Sequence, residues 1–284
     1  MFRFRRCRGA GKAPLRCSVD SSFYIRFCRM RVRILAVGVG LALAVAAGAR
    51  TPEAEPSDLR LRLNRIDKEW KKRDQPGCLD AVRSELAQAE RDAPGDYGVL
   101  WRMAQLYFWL ADDPGLSSTE RSRLGKKAWE YGDRASLANP KRVEGWYFAA
   151  LGMGEYSIGI GVLKALGENI EDKFRQRLSK AESIDPTFYA GGIWNAWGRF
   201  YFKLPWPKYD GRRSEQMLHE ALRVNPENVR ARVFLAELYV KEKHRDEARK
   251  LLKEAATHQP GSYDVPEERR SAARARKLLV ELKN

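Results

Sequence analysis

Five prolines constrain this chain more than any other feature. Pro94, Pro140, Pro186, Pro226 and Pro260 each follow a stretch in which apolar residues recur three and four apart, and in four cases the residue before is polar: Asn139, Asp185, Asn225 and Gln259. Proline lacks an amide hydrogen and disfavours helical geometry in the residue before it, so each one ends a helix. Their spacings are 46, 46, 40 and 34 residues. From Pro56 onward no segment shows the sustained alternation of a half-buried strand. The pattern predicts an all-α chain built from repeated helix pairs.

The 34-residue spacing tests that expectation most sharply. If Pro226 and Pro260 are equivalent ends, Leu235, Ala236 and Tyr239 fall at positions 7, 8 and 11, and Ala248, Leu252 and Ala255 at positions 20, 24 and 27. Small residues belong where two helices approach most closely, and large ones fill the groove between neighbouring units. This is the signature of a tetratricopeptide repeat, which the closing unit resembles. The preceding unit carries Trp194, Trp197, Gly198 and Tyr201, then Leu218 and Ala221, with a Pro-rich loop from Leu204 to Gly211 between its helices. Trp146, Ala149, Ala150, Leu178 and Ala181 mark one earlier unit, and Met103, Ala104, Tyr107, Ala128 and Ala135 another. Val82, Leu86 and Ala89 form a half unit beside a helix at about 61–70. The expected fold is a tetratricopeptide-like helical-hairpin solenoid of about four and a half pairs, with a capping helix over 267–282. Extra length at 153–171 reads as one long helix whose glycines allow close packing.

The first fifty residues follow a different grammar. Met30-Arg-Val-Arg precedes an uncharged run from Ile34 to Ala47, and Ala47-Gly48-Ala49 offers small residues before Arg50. A basic start, a short apolar stretch and an Ala-x-Ala-like site make a signal peptide, and the run is shorter than a membrane span. The expected organisation is a targeting region at 1–49, with the signal at 30–49 and an upstream extension at 1–29, followed by the solenoid at 50–284. Cleavage predicts a periplasmic or secreted product, and an uncleaved signal would hold it at the inner membrane. An Arg-rich organelle presequence is the rival reading of residues 1–29.

Processing changes what charge and cysteine imply. Residues 1–49 carry ten Lys plus Arg and a single acid, Asp20, so the net charge falls from +16 for the chain to +7 for residues 50–284. A nucleic-acid partner is therefore not expected. Only Cys78 remains, which excludes an intramolecular disulfide or a cysteine-based zinc site, and a lone thiol is expected to be buried. His219, His244 and His258 form no metal-ligand spacing and read as surface residues. Asp112-Asp113 beside Pro114-Gly115 reads as a turn. The glycines at 154, 159, 161 and 167 lack the strand and the Gly-Lys-Ser/Thr of a phosphate loop. Neither catalysis, cofactor nor metal is expected.

Three segments narrow the resemblance. Val143-Glu-Gly-Trp-Tyr-Phe-Ala149, Gly161-Val-Leu-Lys-Ala-Leu166 and Ile184-Asp-Pro-Thr-Phe-Tyr-Ala-Gly-Gly192 resemble the periplasmic T-component family of TRAP transporters, as do the Gly198-x-x-Tyr201 helix, the loop ending Asp210-Gly211 and the closing repeat with Leu235-Ala-Glu237. The similarity runs over about 75–283. Two departures stand out: Ile193-Trp194 follows Gly192 where that family has a Pro-containing segment, and no cysteine follows the apolar run to carry a lipid. The resemblance implies an accessory role beside a solute-binding protein, with a small apolar ligand.

Aromatic residues cluster on or just after the first helices, which line the concave face of such solenoids. Trp146, Trp194 and Tyr201 occupy signature positions and read as core. Trp109, Tyr147, Asn195, Trp206 and Tyr209 lie outside that phase and are the candidate ligand- or partner-binding residues. Arg269, Arg270, Arg274, Arg276 and Lys277 form a basic stripe that reads first as a solvated capping face and second as a surface for an anionic partner or a membrane. A protein partner, a small apolar ligand and homo-oligomerisation are the associations this architecture admits. An envelope-assembly scaffold recognising peptides is the second functional expectation. An enzyme hidden in the long insert is a third that would need a pocket of titratable groups, and an intracellular repeat protein of the microtubule-regulator type is disfavoured by the export signal.

Overall fold

The computed structural model describes residues 56–282 apart from Ser262. The targeting region assigned to 1–49 lies outside the described residues. Twelve helices appear among the described residues: α1 (Pro56–Trp70), α2 (Cys78–Asp92), α3 (Tyr97–Ala111), α4 (Ser118–Ala138), α5 (Val143–Ile160), α6 (Val162–Gly167), α7 (Ile170–Ile184), α8 (Phe188–Lys203), α9 (Gly211–Val224), α10 (Val229–Lys241), α11 (Arg245–Thr257) and α12 (Val265–Glu281). Hairpins form from α1/α2, α3/α4, α5/α7, α8/α9 and α10/α11, and α12 caps α10 and α11. The expected half unit at the start is a complete hairpin, so there are five pairs rather than four and a half.

Four of the five prolines follow the same helix-ending contact. The amides of Ala93, Asn139, Asp185 and Asn225 donate to the carbonyls of Ala89, Ala135, Ala181 and Ala221, and a proline follows each amide by one residue. Those four alanines, with Ala255 in the last pair, are completely buried. They sit where the two helices of a unit meet and a longer side chain has no room. The opposite helix ends are fixed by side-chain caps: Asp96, Ser117, Asp210, Asn228 and Asp264 each accept from an amide three residues on.

The segment at 153–171 is not one long helix. α5 stops at Gly161, whose φ of 91° lies in the region that favours glycine, and α6 and α7 follow as separate pieces. Of the glycines expected to pack closely only Gly159 does so, and it is joined by others outside 153–171. Gly145, Gly152 and Gly159 recur every seven residues along α5, opposite Gly125 and Gly132 on α4. A Cβ on Gly132 would lie 2.5 Å from Ala149 N, one on Gly145 2.6 Å from Ser136 N, and one on Gly159 2.5 Å from Ser122 N. The two backbones therefore touch along the seam between the second and third hairpins.

A strained turn opens α8. Tyr189, Ala190 and Gly191 are consecutively left-handed, with φ of 55°, 51° and 88°. Such a conformation costs about 1–2 kcal/mol per non-glycine residue and persists only when its surroundings fix it. Here Asn228 Nδ2 donates to Ala190 O at 2.8 Å, and Tyr189 Oη donates to Asp264 Oδ2 at 2.8 Å.

That second bond belongs to a set joining the two ends of the solenoid. Arg73 Nη2 donates to both oxygens of Asp264 at 2.8 Å, Arg270 Nη1 to Trp109 O at 2.9 Å, and Arg230 Nη2 to Asp112 Oδ2 at 2.6 Å. The stripe on α12 is therefore only partly a solvated face: Arg276 and Lys277 are exposed, whereas Arg269 pairs with Asp74, Arg274 with Glu237, and Arg270 lies 3.7 Å from Asp112. The curvature of the solenoid brings α12 and the turn before it back against the α1–α2 connection and the end of α3.

Two smaller expectations also fail. Cys78 is only half-buried. His258 is not a surface residue: its side chain is 6% exposed and lies between Glu227 at 3.4 Å and Glu268 at 2.9 Å. Glu268, itself buried, accepts from the amides of Gly261, Tyr263 and Asp264, so α12 is anchored before it begins. Burial works against its ionised form, but those amides and His258 hold its carboxyl down at about 2.

Candidate functional site

Closure leaves a cavity of about 700 Å³ inside the curl, within the range usual for small-molecule sites. Its chemistry is divided. Leu151 and Ile158 of α5, Val162 and Leu166 of α6, and Ile170 and Phe174 of α7 give an apolar wall, continued by Phe108, Phe200 and Phe234. The same lining carries Arg199 and Lys203 of α8, Arg230 of α10, and Arg270, Arg274 and Lys277 of α12, with the Arg199, Arg230 and Arg274 guanidiniums over the Phe234 ring. The break at Gly161 produces the aliphatic part, because it lets α6 and α7 turn aliphatic side chains inward.

Most of these cations are already matched. Arg199 and Arg274 both reach Glu237 at 2.5 Å, Arg121 reaches Glu155 at 2.5 Å, and Arg230 binds Glu267 as well as Asp112. Burial opposes ionisation of Asp112, yet Arg230 and Arg270 outweigh it and hold that carboxyl below its ordinary range. Asp113 plays the expected turn role, accepting from Gly115 N, whereas Asp112 belongs to the interior. Glu155 behaves differently. Burial raises its carboxyl to about 7, the nearby charge of Asp112 adds to the rise, and Arg121 only partly offsets it. Lys203 is pushed down to about 8 by burial and then by Arg199.

The five expected binding residues separate into three groups. Tyr147 and Asn195 both line the cavity and are buried. Tyr147 packs against Phe148, Phe188 and Tyr189, and burial raises its hydroxyl above the usual tyrosine range. Asn195 Nδ2 donates to Asn228 Oδ1 at 3.2 Å, while its own Oδ1 is buried without a hydrogen-bond partner. Trp109 lies apart, with the guanidinium carbons of Arg73 and Arg270 at 4.0 and 3.2 Å from its ring centroid and Trp70 edge-on at 6.2 Å. Trp206 and Tyr209 sit on the loop between α8 and α9. Trp206 is 89% exposed, and Tyr209 donates to Glu242 at 3.1 Å beneath the Lys241 ammonium.

From sequence, Arg270, Arg274 and Lys277 are singled out, but not Arg199, Lys203, Arg230 or Glu155. One signal pointed to the first two of these: Arg199 and Lys203 are four apart on an otherwise aromatic first helix, and Arg270, Arg274 and Lys277 repeat at the same helical spacing. Among the described residues, no group of three or more His, Cys, Asp or Glu could hold a metal ion, and no helix is long and apolar enough to cross a membrane.

A tetratricopeptide repeat family profile matches residues 210–267. The crystal structure of a thermophilic tetratricopeptide repeat protein of Thermus thermophilus is similar over 78% of this chain and 99% of its own, with a TM-score of 0.59 and 18% identity. The chain folds as a tetratricopeptide-type solenoid. The pilF protein of Pseudomonas aeruginosa also matches, over 79% of this chain and 93% of its own, with a TM-score of 0.48 and 15% identity. No curated protein matches in sequence. Neither the profile nor these two structures carries a T-component description.

Proposed function

We propose that the protein is an exported binding scaffold, acting in the periplasm or outside the cell as a T-component-like accessory of a TRAP-type uptake system. A periplasmic solute-binding protein is its partner, and a small, largely apolar solute occupies its interior. One observation carries this reading: α12 and its leading turn meet the α1–α2 connection and the end of α3, and the inner face beside them forms a cavity of small-molecule size. A solenoid built this way offers a compartment for a small molecule and leaves its outer surface for a protein. Binding rather than catalysis is further supported by the interior acids, since Asp112, Glu155, Glu237 and Glu267 are each engaged by arginine.

A second reading, an envelope-assembly scaffold recognising peptides, draws on Trp206. An exposed indole on a loop outside the cavity is a suitable anchor for a polypeptide. The test is to express the tagged full chain, extract the envelope and identify what co-purifies. Recovery of a solute-binding protein, with a product beginning at Arg50, is the expected result. Recovery of assembly factors alone would favour the second reading, and a product still carrying Ile34 would contradict release from the membrane.

A further inference from the structure

We infer that the cavity binds a single-chain amphiphile bearing one carboxylate, its tail against α5 to α7 and its head between Lys203 and Lys277 at the mouth. The inference rests on the interior solute site of the preceding reading and specifies its ligand.

The tail follows from the apolar wall. Leu151, Ile158, Val162, Leu166, Phe174 and Phe200 come from four helices and converge on one volume, so a chain of methylenes removes apolar surface from water on both sides. The head follows from the cations in the same lining. Residues four apart on a helix share a face, so α8 turns Arg199 and Lys203 toward the same space into which α12 turns Arg270, Arg274 and Lys277. Glu237 satisfies Arg199 and Arg274, and Asp112 satisfies Arg230 with Arg270 at 3.7 Å. Lys203 and Lys277 have no carboxylate within ion-pair distance among the described residues, and both are exposed at the rim. Although part of its side chain reaches solvent, the Lys203 ammonium is depressed by partial burial at the mouth and then by the like charge of Arg199, which an incoming anion would offset.

The alternatives fit less well. A cationic head would face uncompensated positive charge. A neutral chain would leave both lysines unused. A peptide would have to displace the ion pairs that close the interior, each of which would then leave a buried charge unpaired. Lysine is a compact point charge on a flexible stem, which suits a carboxylate that need not be held in one fixed orientation.

Titration calorimetry of the full-chain protein at pH 7 with dodecanoate, dodecanol and dodecyltrimethylammonium tests this directly. Dodecanoate should bind one to one and about tenfold or more tighter than the alcohol, with the ammonium weakest. From octanoate to dodecanoate, affinity should rise roughly fourfold per added methylene. Replacing both lysines, Lys203→Met with Lys277→Met, should bring the carboxylate-to-alcohol ratio close to one while the alcohol still binds. Gly154→Leu supplies the control for position. Gly154 lines the cavity, the nearest atom to its added Cβ is Phe174 Cε2 at 3.9 Å, and leucine favours the helix, so the variant should fold and lose both ligands. Equal affinity for carboxylate and alcohol in the unmodified protein would overturn the head assignment. Absence of binding by any probe, or full binding by Gly154→Leu, would overturn the site. Co-purification of a solute-binding protein without amphiphile binding would sink this inference and leave the accessory role standing, and the converse result would do the reverse.

Discussion

The closing repeat, α10 and α11, and the central repeat, α5 to α7, solve the same packing problem with different amounts of chain. The closing repeat spans 34 residues between prolines and commits nearly all of its pattern to core: Ala236, Ala248, Leu252 and Ala255 are completely buried. The central repeat spans 46, and its additional residues break α5, build α6 and supply much of the apolar cavity wall. It also supplies the glycine seam that lets α4 and α5 touch. Where the repeat is minimal the chain is structural, and where it departs from the minimum it makes space for another molecule.

Arg230 links the two regions, since it leaves the closing repeat to bind Asp112 at the end of α3. Arg230→Met strands Asp112 and Glu267 and should cost about 3–5 kcal/mol of stability, read from urea unfolding. Equal stability would mean that the ends are not joined in solution. Two glycines on α5 sharpen the contrast within the central repeat. A Cβ on Gly152 meets Trp129 N and the Ala128 carbonyl carbon on α4, so Gly152→Ala should destabilise by roughly 1–3 kcal/mol.

The interior should also respond to pH in a way that the closing repeat does not. Glu155 titrates near 7 facing Arg121, Asp112 and Arg230, and Lys203 near 8 facing Arg199, Glu237 and Arg274. As pH rises from 6 to 9 the first gains a negative charge and the second loses a positive one. Dodecanoate affinity should therefore fall about tenfold across that range while dodecanol affinity stays level, by the linkage of proton and ligand binding. A flat profile for the carboxylate would remove both groups from the site.

Gly154→Ala, two residues beyond the seam glycine, should stabilise by about 1 kcal/mol, because its side chain enters open cavity and alanine favours the helix. The smallest effect is expected at Trp206, where Trp206→Ala on an exposed loop should change stability by no more than about 0.5 kcal/mol. Loss of a co-purifying protein in that variant would nevertheless support an outer docking role for the loop.

The hairpins were legible because their determinants are local: a proline, the polar residue before it and an alanine at fixed offset act within one unit. The interior was not legible because it depends on the rotation accumulated from one repeat to the next. Asp112 looks like a turn residue until α10 brings Arg230 to it from 118 positions away. Arg270 and Arg274 look like a solvated stripe until α12 is placed against Trp109 and Glu237. The five binding candidates follow the same division. Tyr147 and Asn195 reach the cavity, Trp109 is held between arginines, and Trp206 and Tyr209 belong to a loop whose position depends on where α8 ends.

A crystal structure of the full chain grown with dodecanoate tests the central claim most directly, that binding occurs inside the closed solenoid. The account predicts one chain of ligand density running from Phe174 to Lys203, with the Arg230 to Asp112 contact intact. Ligand held on the outer surface over an empty interior, or an interior opened by release of α12, would contradict it.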